Sequence, residues 1–427
     1  MHIQRIRISN MKSIDTLDWA IPKDQAAGWH VIIGDNGSGK STLLRAITLA
    51  LLGPVEAAGL RQDWDTWLRA ETKSGSVRLD MTYDPQIDQF TGPGRRDAEM
   101  VPAAVQIEYD GHKAQIKKGR ETPNPERHIW SGAGGWFSVA YGPFRRFSGG
   151  DAPFKTQSLR SLPRLAAHLS VFNEAFALSE GLRWLQELQF KRLEQLSEGM
   201  LLERLITFVN QKDFLPFGMR IRSIDDVGSS GIFFTDPHGQ RVSVENLSDG
   251  YRSILSLTFD LIRHMVNTYG PNAVFDASDP TVIHAPGVVL IDEVDAHLHP
   301  SWQKRVGFWF RQHFPHVQFI VTTHSPLVCQ AATEGSIWRL PRLGDPEPGG
   351  MVIGQDRDRL LYGNVLDAYS TGAFGLDSTR SEESQVKLVR LAQLNRKDLR
   401  GGLSTEEQQE QEQLRSILPT TAYQTGE

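Results

Sequence analysis

Two periods of hydrophobic patterning alternate along the chain. Over residues 3–8 apolar and polar positions alternate, and the same period of two returns at 77–83, 105–109 and 113–117. Each run predicts a half-buried strand, with Asp110-Gly111 as a hairpin signal between the last two. A second short strand follows the first and ends at Trp19. Two runs are instead continuously apolar, Val31-Ile32-Ile33 and 288–291, and two more are apolar for most of their length, 136–141 (broken by Ser138) and 318–323 (apolar at Phe319-Ile320-Val321). Runs of that kind predict strands covered on both faces, as in a parallel sheet. Short strands are also expected at 219–224, 231–235 and 242–244, around a loop carrying Asp225-Asp226.

Helical spacing fills the intervals. Residues 43–52 predict a helix ended by Gly53 and Pro54. Residues 56–75 suggest another, with Trp64, Trp67 and Leu68 on one side. From 158 to 212 apolar residues recur at three- and four-residue steps without a sustained heptad, which predicts a packed helical subdomain and not a long coiled coil. Residues 253–269 and 301–313 are further helices, the latter with Val306, Trp309 and Phe310 inward. Residues 271–287 should be loop, and after about 340 the chain turns polar, with a last helical pair near 382–394 and 404–417. The run 406–413 is most simply a solvated helix face. The expected architecture is α/β. It comprises a β-rich first lobe (1–157), a helical insertion (158–215), a second lobe (216–340) and a helical, partly flexible extension (341–427).

Candidate chemistry sits where these elements meet. Gly34-Asp35-Asn36-Gly37-Ser38-Gly39-Lys40-Ser41-Thr42 lies between the first apolar strand and the first helix. A glycine-rich turn between strand and helix is the context this phosphate-binding pattern requires. Its backbone N–H groups curl around phosphate oxygens, and the helix N-terminus adds partial positive charge. Lys40 then reaches the β- and γ-phosphates, and the Ser41 hydroxyl sits on Mg²⁺. At 288–291 the apolar run ends in Asp292-Glu293, carboxylates at a C-terminal strand edge, where ligands of open α/β sheets bind. This pair fits a Walker B role, with Asp292 holding Mg²⁺ and Glu293 polarising the attacking water. His324, after the next strand, is a candidate γ-phosphate contact. Leu247-Ser248-Asp249-Gly250 opens the helix that runs to Tyr269, and a helix N-terminus is an anion site.

Composition narrows the classes. The net charge of −5 gives no global basic signal, so any nucleic-acid contact has to come from a local patch. Candidates are Arg95-Arg96, Lys117-Lys118-Arg120 and Arg145-Arg146, although such groups are more often plain surface. The single cysteine, Cys329, excludes an internal disulfide and a cysteine-based zinc site, and it fits a reducing cytoplasm. His297 and His299 without a third ligand are weak grounds for a metal. No apolar run approaches the roughly 20 residues of a membrane span, and the N-terminus reads as a strand, not a signal peptide.

Taken in order, the glycine-rich loop, Leu247-Ser248-Asp249-Gly250, 288–293, His297-Leu298-His299-Pro300 and Thr322-Thr323-His324-Ser325-Pro326 resemble the motifs of ABC-type ATPase heads. The first strand running into Asn10-Met11-Lys12-Ser13 looks like the SMC/RecF-like branch. The wording of the signature and Walker B segments is similar to compact bacterial ATPases of anti-phage defence: Septu-like, retron-associated and OLD-family. The resemblance implies an ATPase using ATP and Mg²⁺. It also implies a homodimer or larger homo-oligomer in which Ser248 and Gly250 of one subunit touch the γ-phosphate held by another, with Asp295 facing its symmetry mate. The sequence departs from the usual signature at Asp249 and Tyr251, and an aspartate there is expected to turn away and cap the helix. The Q-loop position falls to Gln106 or, preferred, to the stretch from Tyr141-Gly142 through Arg145-Arg146. Asp356-Arg357-Asp358 lacks an upstream glutamate strand, and no nuclease is read in this chain. A separate HNH or Toprim nuclease is the implied effector. The alternatives are a RecF-type ATPase that binds DNA directly and a module that holds ATP without turnover.

Overall fold

The computed structural model describes residues 1–89, 91, 100–119, 125–130, 135–145, 162–173, 179–211, 214–215, 220–223, 232–235, 238–275, 279–342, 349–374 and 381–418. Strands β1 (Ile3–Met11), β2 (Ile14–Ala20), β4 (Ser74–Thr82), β5 (Met100–Tyr109) and β6 (Ala114–Lys118) form an antiparallel sheet in the order β2-β1-β4-β5-β6. Its alternation is the period of two seen in the sequence. Ile6, Ile8, Val77, Leu79, Val105 and Ile107 are buried on one face. The other face carries a charge ladder, in which Arg5 pairs with Asp18 at 2.6 Å and Asp80 takes both Arg7 and Arg78.

The second sheet positions the site. Its order is β14-β13-β3-β12-β11-β7, from β3 (Gly28–Ile33), β7 (Ser138–Tyr141), β11 (Gly287–Ile291), β12 (Val317–Thr322), β13 (Ile337–Arg339) and β14 (Gly350–Met351). All are parallel except β14 at the edge. Every residue of β3, β7, β11 and β12 is buried, which explains why these strands are apolar on both faces apart from a few buried polar residues such as His30, Gln318 and Thr322. Alternate residues enter different cores. Val31, Val289, Ile291, Phe319 and Val321 pack with the helices Asp249–Tyr269 and Pro300–His313. Ile32, Val288, Leu290 and Ile320 pack with the Lys40–Ala58 helix and the antiparallel sheet.

Several expectations change. The first helix continues through Ala58, interrupted by a single non-helical residue, Gly53, at φ 77°. Glycine adopts that conformation without strain, and Pro54 then starts a new turn as a favoured first residue. The helix expected over 56–75 is a short 3-10 turn, Trp64–Trp67, followed by β4. Within the insertion the described helices are Pro163–His168, Ser179–Leu193 and Met200–Val209. A three-stranded sheet, β10-β9-β8, comprises Arg220–Ser223 (β8), Phe233–Thr235 (β9) and Arg241–Ser243 (β10). Asp225-Asp226 lie outside the described residues. A short helix, Pro271–Val274, interrupts the expected loop. The extension adds helices Gly354–Tyr362 and Val365–Tyr369 before a hairpin of Glu382–Gly401 and Thr405–Ile417. That hairpin has its own small core of Leu391, Leu394, Leu414 and Leu418. Its polar face is tied by Arg390–Glu410 at 2.7 Å and Lys397–Glu407 at 2.5 Å.

Candidate functional site: a phosphate loop facing two carboxylates

The parallel register brings the C-terminal ends of β3, β12, β11 and β7 to one edge. Ile32 stands beside Thr322, Val321 beside Ile291, and Ile291 beside Tyr141. The glycine-rich loop leaves β3, Asp292-Glu293 leave β11, and His324 follows β12.

The loop is built as a cradle. Gly39 sits at φ 105°, and a Cβ on it would lie 2.5 Å from Ser13 Oγ. A side chain there would have to displace the Ser13 hydroxyl and would sit in a left-handed backbone conformation that favours glycine. The Lys40–Ala58 helix starts immediately, its first bond running from Leu43 N to Gly39 O at 2.8 Å. The N–H groups before Leu43 are therefore outside the helical ladder. Ser38 Oγ is buried without a hydrogen-bond partner, an unmet group of the kind that a bound oxyanion satisfies. Lys40 Nζ donates to the carbonyls of Gly34 at 2.7 Å and Asp35 at 2.9 Å. Burial lowers its pKa, while Glu293, Asp292, Asp35 and Asp295 act against that shift. The ammonium thus lies in the field of the β11 carboxylates. The loop tip (Asp35, Asn36 and Gly37) is exposed, and Ser41 and Thr42 are partly exposed on the helix's first turn.

Two adjacent threonines fix the carboxylates. Thr322 Oγ1 donates to Asp292 Oδ1 at 2.6 Å and accepts from Glu293 N at 2.7 Å. Thr323 Oγ1 donates to Asp295 Oδ1 at 2.6 Å and accepts from Ser325 N at 2.9 Å. Asp292 is 1% exposed. Glu293, partly exposed, holds a left-handed backbone at φ 46°. The sequence marks Thr322-Thr323 as part of a motif but gives them no role, because threonine in a strand reads only as a strand former. A carboxylate at the end of β11 and the Ser41 hydroxyl on the first turn of the helix after β3 are oxygen donors of the kind a hard divalent cation takes.

Tyr141 and Arg145 tie β7 to the Asp249–Tyr269 helix. Tyr141 OH donates to Asp260 Oδ2 at 3.2 Å, and Arg145 Nε donates to Ser253 Oγ at 3.1 Å. Burial alone would raise the Asp260 pKa, but His264 and Arg263 hold it well below the usual range. Of the two Q-loop candidates, Gln106 lies mid-strand in β5, paired with Ser76 and Lys117 on its two sides. Arg145 lies at the site edge, against the Asp292–Val294 backbone.

Ser248 occupies the N-cap position of its helix without a side-chain cap bond, and Gly250 lies against the His297 carbonyl, where a Cβ would approach to 2.7 Å. Asp249 does not cap, contrary to expectation; its carboxylate pairs with Arg252 one turn on. An arginine at that distance offers a charge-assisted partner that the backbone cap does not. His324 is exposed. His299 accepts from Ser301 N at 3.3 Å as a helix cap, and no cluster of three metal-ligating side chains occurs among the described residues. The described members of the basic candidates have partners within the chain. Lys117 pairs with Glu108 at 3.2 Å and Lys118 with Glu126 at 2.6 Å. Arg145 is buried, and Arg95, Arg96, Arg120 and Arg146 lie outside the described residues.

Residues 30–330, which contain every element of this site, match the family described as "AAA domain, putative AbiEii toxin, Type IV TA system". The chain belongs to this AAA domain family. Its relatives include the Septu protein PtuA of Bacillus mycoides (strain KBAB4), 25% identical over 78% of this chain and 40% of that protein. The retron Vc95 probable ATPase of Vibrio cholerae serotype O1 biovar El Tor is 23% identical over 72% of this chain and 68% of that protein. The retron Ec83 probable ATPase of Escherichia coli is 41% identical over 25% of this chain and 18% of that protein. The chain thus spans less than half the length of the Bacillus mycoides and Escherichia coli relatives. Solved structures similar to it include an SMC head bound to the C-winged helix domain of ScpA (17% identity, 84% of this chain, 99% of that one, TM-score 0.48). Another is the recombination mediator protein RecF-ATPrS (13% identity, 82% and 98%, TM-score 0.41). The one described helix long and apolar enough to cross a membrane is Lys40–Ala58. In this AAA domain it is the helix of the phosphate loop, packed between the two main sheets.

Proposed function

We propose that this AAA domain binds ATP with Mg²⁺ and hydrolyses it, and that it serves as the cytoplasmic sensor and regulatory subunit of an anti-phage defence complex with a separate effector. The observation that carries the catalytic part is that the Lys40 loop after β3 and the Asp292-Glu293 turn after β11 leave the same edge of the parallel sheet, with the Lys40 ammonium in the field of both carboxylates. Phosphoryl transfer needs positioning and charge stabilisation more than covalent chemistry from the protein. The loop from Gly34 through Thr42 cradles the phosphates, and Lys40 neutralises the β- and γ-oxygens. Ser41 and Asp292 hold Mg²⁺, which offsets charge on the phosphates when bound. Glu293 polarises the attacking water, and His324 contacts the γ-phosphate. Thr322 holds both carboxylate residues in register, whatever occupies the site.

The signature turn, Ser248 to Gly250, completes the site of a second subunit in this reading. Association and active-site completion are then one event. Ser248→Arg and Lys40→Ala proteins should each be nearly inactive alone, yet recover partial turnover when mixed, because one of the two composite sites is then intact. Light-scattering mass measured with and without ATP tests the coupling; a strictly monomeric protein with full turnover excludes it.

The defence role rests on the relatives named Septu protein and retron probable ATPase. An ATPase cycle alone damages nothing, so the role requires an effector, with an HNH nuclease first and a Toprim nuclease next. The helical insertion at 158–215 and the extension after 340 are not needed for ATP chemistry, and we assign the docking surfaces to them. Purification from the native operon should recover the nuclease with this chain. If the chain alone cuts DNA or protects cells after deletion of its neighbours, the two-component reading fails. Salt-dependent DNA binding by the isolated protein would instead favour the RecF-type alternative.

A further inference from the structure

Arg145, on the loop leaving β7, is 5% exposed. A buried guanidinium is costly unless its donors are engaged. Its bonds run in two directions. Nη1 donates to Asp292 O at 2.7 Å and Gly142 O at 3.0 Å, and Nη2 donates to Glu293 O at 3.0 Å and Val294 O at 3.4 Å. Nε points the other way, to Ser253 Oγ at 3.1 Å on the Asp249–Tyr269 helix. The acceptors are main-chain carbonyls and one hydroxyl, so the guanidinium grips the backbone and leaves the carboxylates of Asp292 and Glu293 to the phosphate side. Tyr141 grips the same helix at Asp260, seven residues and about 10 Å further along. The helix's first turn also rests on His297 O through Gly250. Any shift of the signature helix therefore has a short rigid route to the turn that carries Glu293.

We infer that Arg145 is a positioning residue coupling the signature helix to the Walker B turn, so that engagement of Ser248 to Gly250 by a second subunit sets the backbone from which Glu293 acts. The inference rests on the ATPase reading and adds to it a cis relay between the two halves of the composite site. Lysine cannot replace the fork, because a single ammonium does not span Ser253 and three consecutive carbonyls.

Ser253→Ala is the gentler test, since it cuts only the bond to the helix, and Arg145→Lys is the second. Full-length proteins are compared for ATP affinity, kcat, and hydrogen–deuterium exchange of the peptide covering residues 288–298 with and without ATP. In the wild type and in Glu293→Gln, ATP-driven association should slow exchange there. Both coupling variants should keep wild-type ATP affinity, lose kcat by roughly tenfold, the scale of one hydrogen bond to a charged group, and lose the ATP-dependent slowing. Wild-type slowing in both variants overturns the inference, as does a loss of ATP affinity and thermal stability in proportion to kcat, which marks a merely structural arginine. The exchange comparison decides the coupling even if Glu293→Gln turns ATP over normally. That result would remove Glu293 as the water-polarising group and leave the relay standing.

Discussion

Lys40→Ala protein should bind ATP roughly a hundredfold to a thousandfold more weakly than wild type, the loss expected for a cation with two or more charge-assisted bonds to phosphate. The lysine is 7% exposed and is held by the carbonyls of Gly34 and Asp35. Its cost to the free protein is visible in the direction of its pKa, lowered by burial. It also stands at the first position of its helix, where a positive charge opposes the helix dipole. Removing it should therefore leave the melting temperature of the nucleotide-free protein unchanged or slightly higher, while abolishing the rise on adding ATP. Equilibrium binding of a fluorescent ATP analogue and a thermal melt with and without ATP separate the two effects. Wild-type affinity in Lys40→Ala would remove the phosphate-loop assignment.

The parts of the site that were legible in the sequence are those whose chemistry is local. The loop from Gly34 to Thr42 declares itself because a strand, a glycine-rich turn and a helix are contiguous. Asp292-Glu293 does so because four buried apolar residues end abruptly in two carboxylates. What was not legible is how the named residues meet, which depends on strand order. Thr322 is 30 residues from Asp292, and Arg145 is 147 residues from it. Only the parallel order β12-β11-β7 makes them neighbours. Asp249 differs for a local reason, not one of strand order. Its intrinsic preference for capping lost to Arg252, a partner one turn away.

The fold shows the same division. Period-two runs located β1, β4, β5 and β6 to within a few residues, but periodicity does not state which strands pair. The helices Gly354–Tyr362 and Val365–Tyr369 were lost in a polar stretch where propensity is a weak guide. A capping box was nevertheless readable there: Asn364 accepts from Asp367 N at 3.0 Å, and Asp367 accepts from Asn364 N at 3.2 Å. Trp64, Trp67 and Leu68 stand at helical spacing and suggest a helix over 56–75. In the folded chain Trp64 and Trp67 cap the antiparallel sheet as a 3-10 turn, with ring centroids 6.0 Å apart.

Glu293→Gln should separate binding from turnover. The backbone of Glu293 is fixed without help from its side chain: its N–H donates to Thr322 Oγ1, and its carbonyl accepts from Arg145. The left-handed φ of 46° is likewise tolerated by glutamine no worse than by glutamate. The substitution is isosteric and removes one negative charge from the field around Lys40. ATP affinity should therefore be retained or improved, because the phosphates meet less repulsion. The attacking water loses its polarising group, and kcat should fall by about a hundredfold to a thousandfold, within the range of general-base deletions. With hydrolysis blocked and binding intact, the composite dimer should accumulate in ATP, visible as a doubled light-scattering mass that persists after excess nucleotide is removed. Steady-state phosphate release and that mass measurement together check the assignment. An unchanged kcat would move the water-polarising role to another residue, with His324 at the end of β12 the next to be substituted.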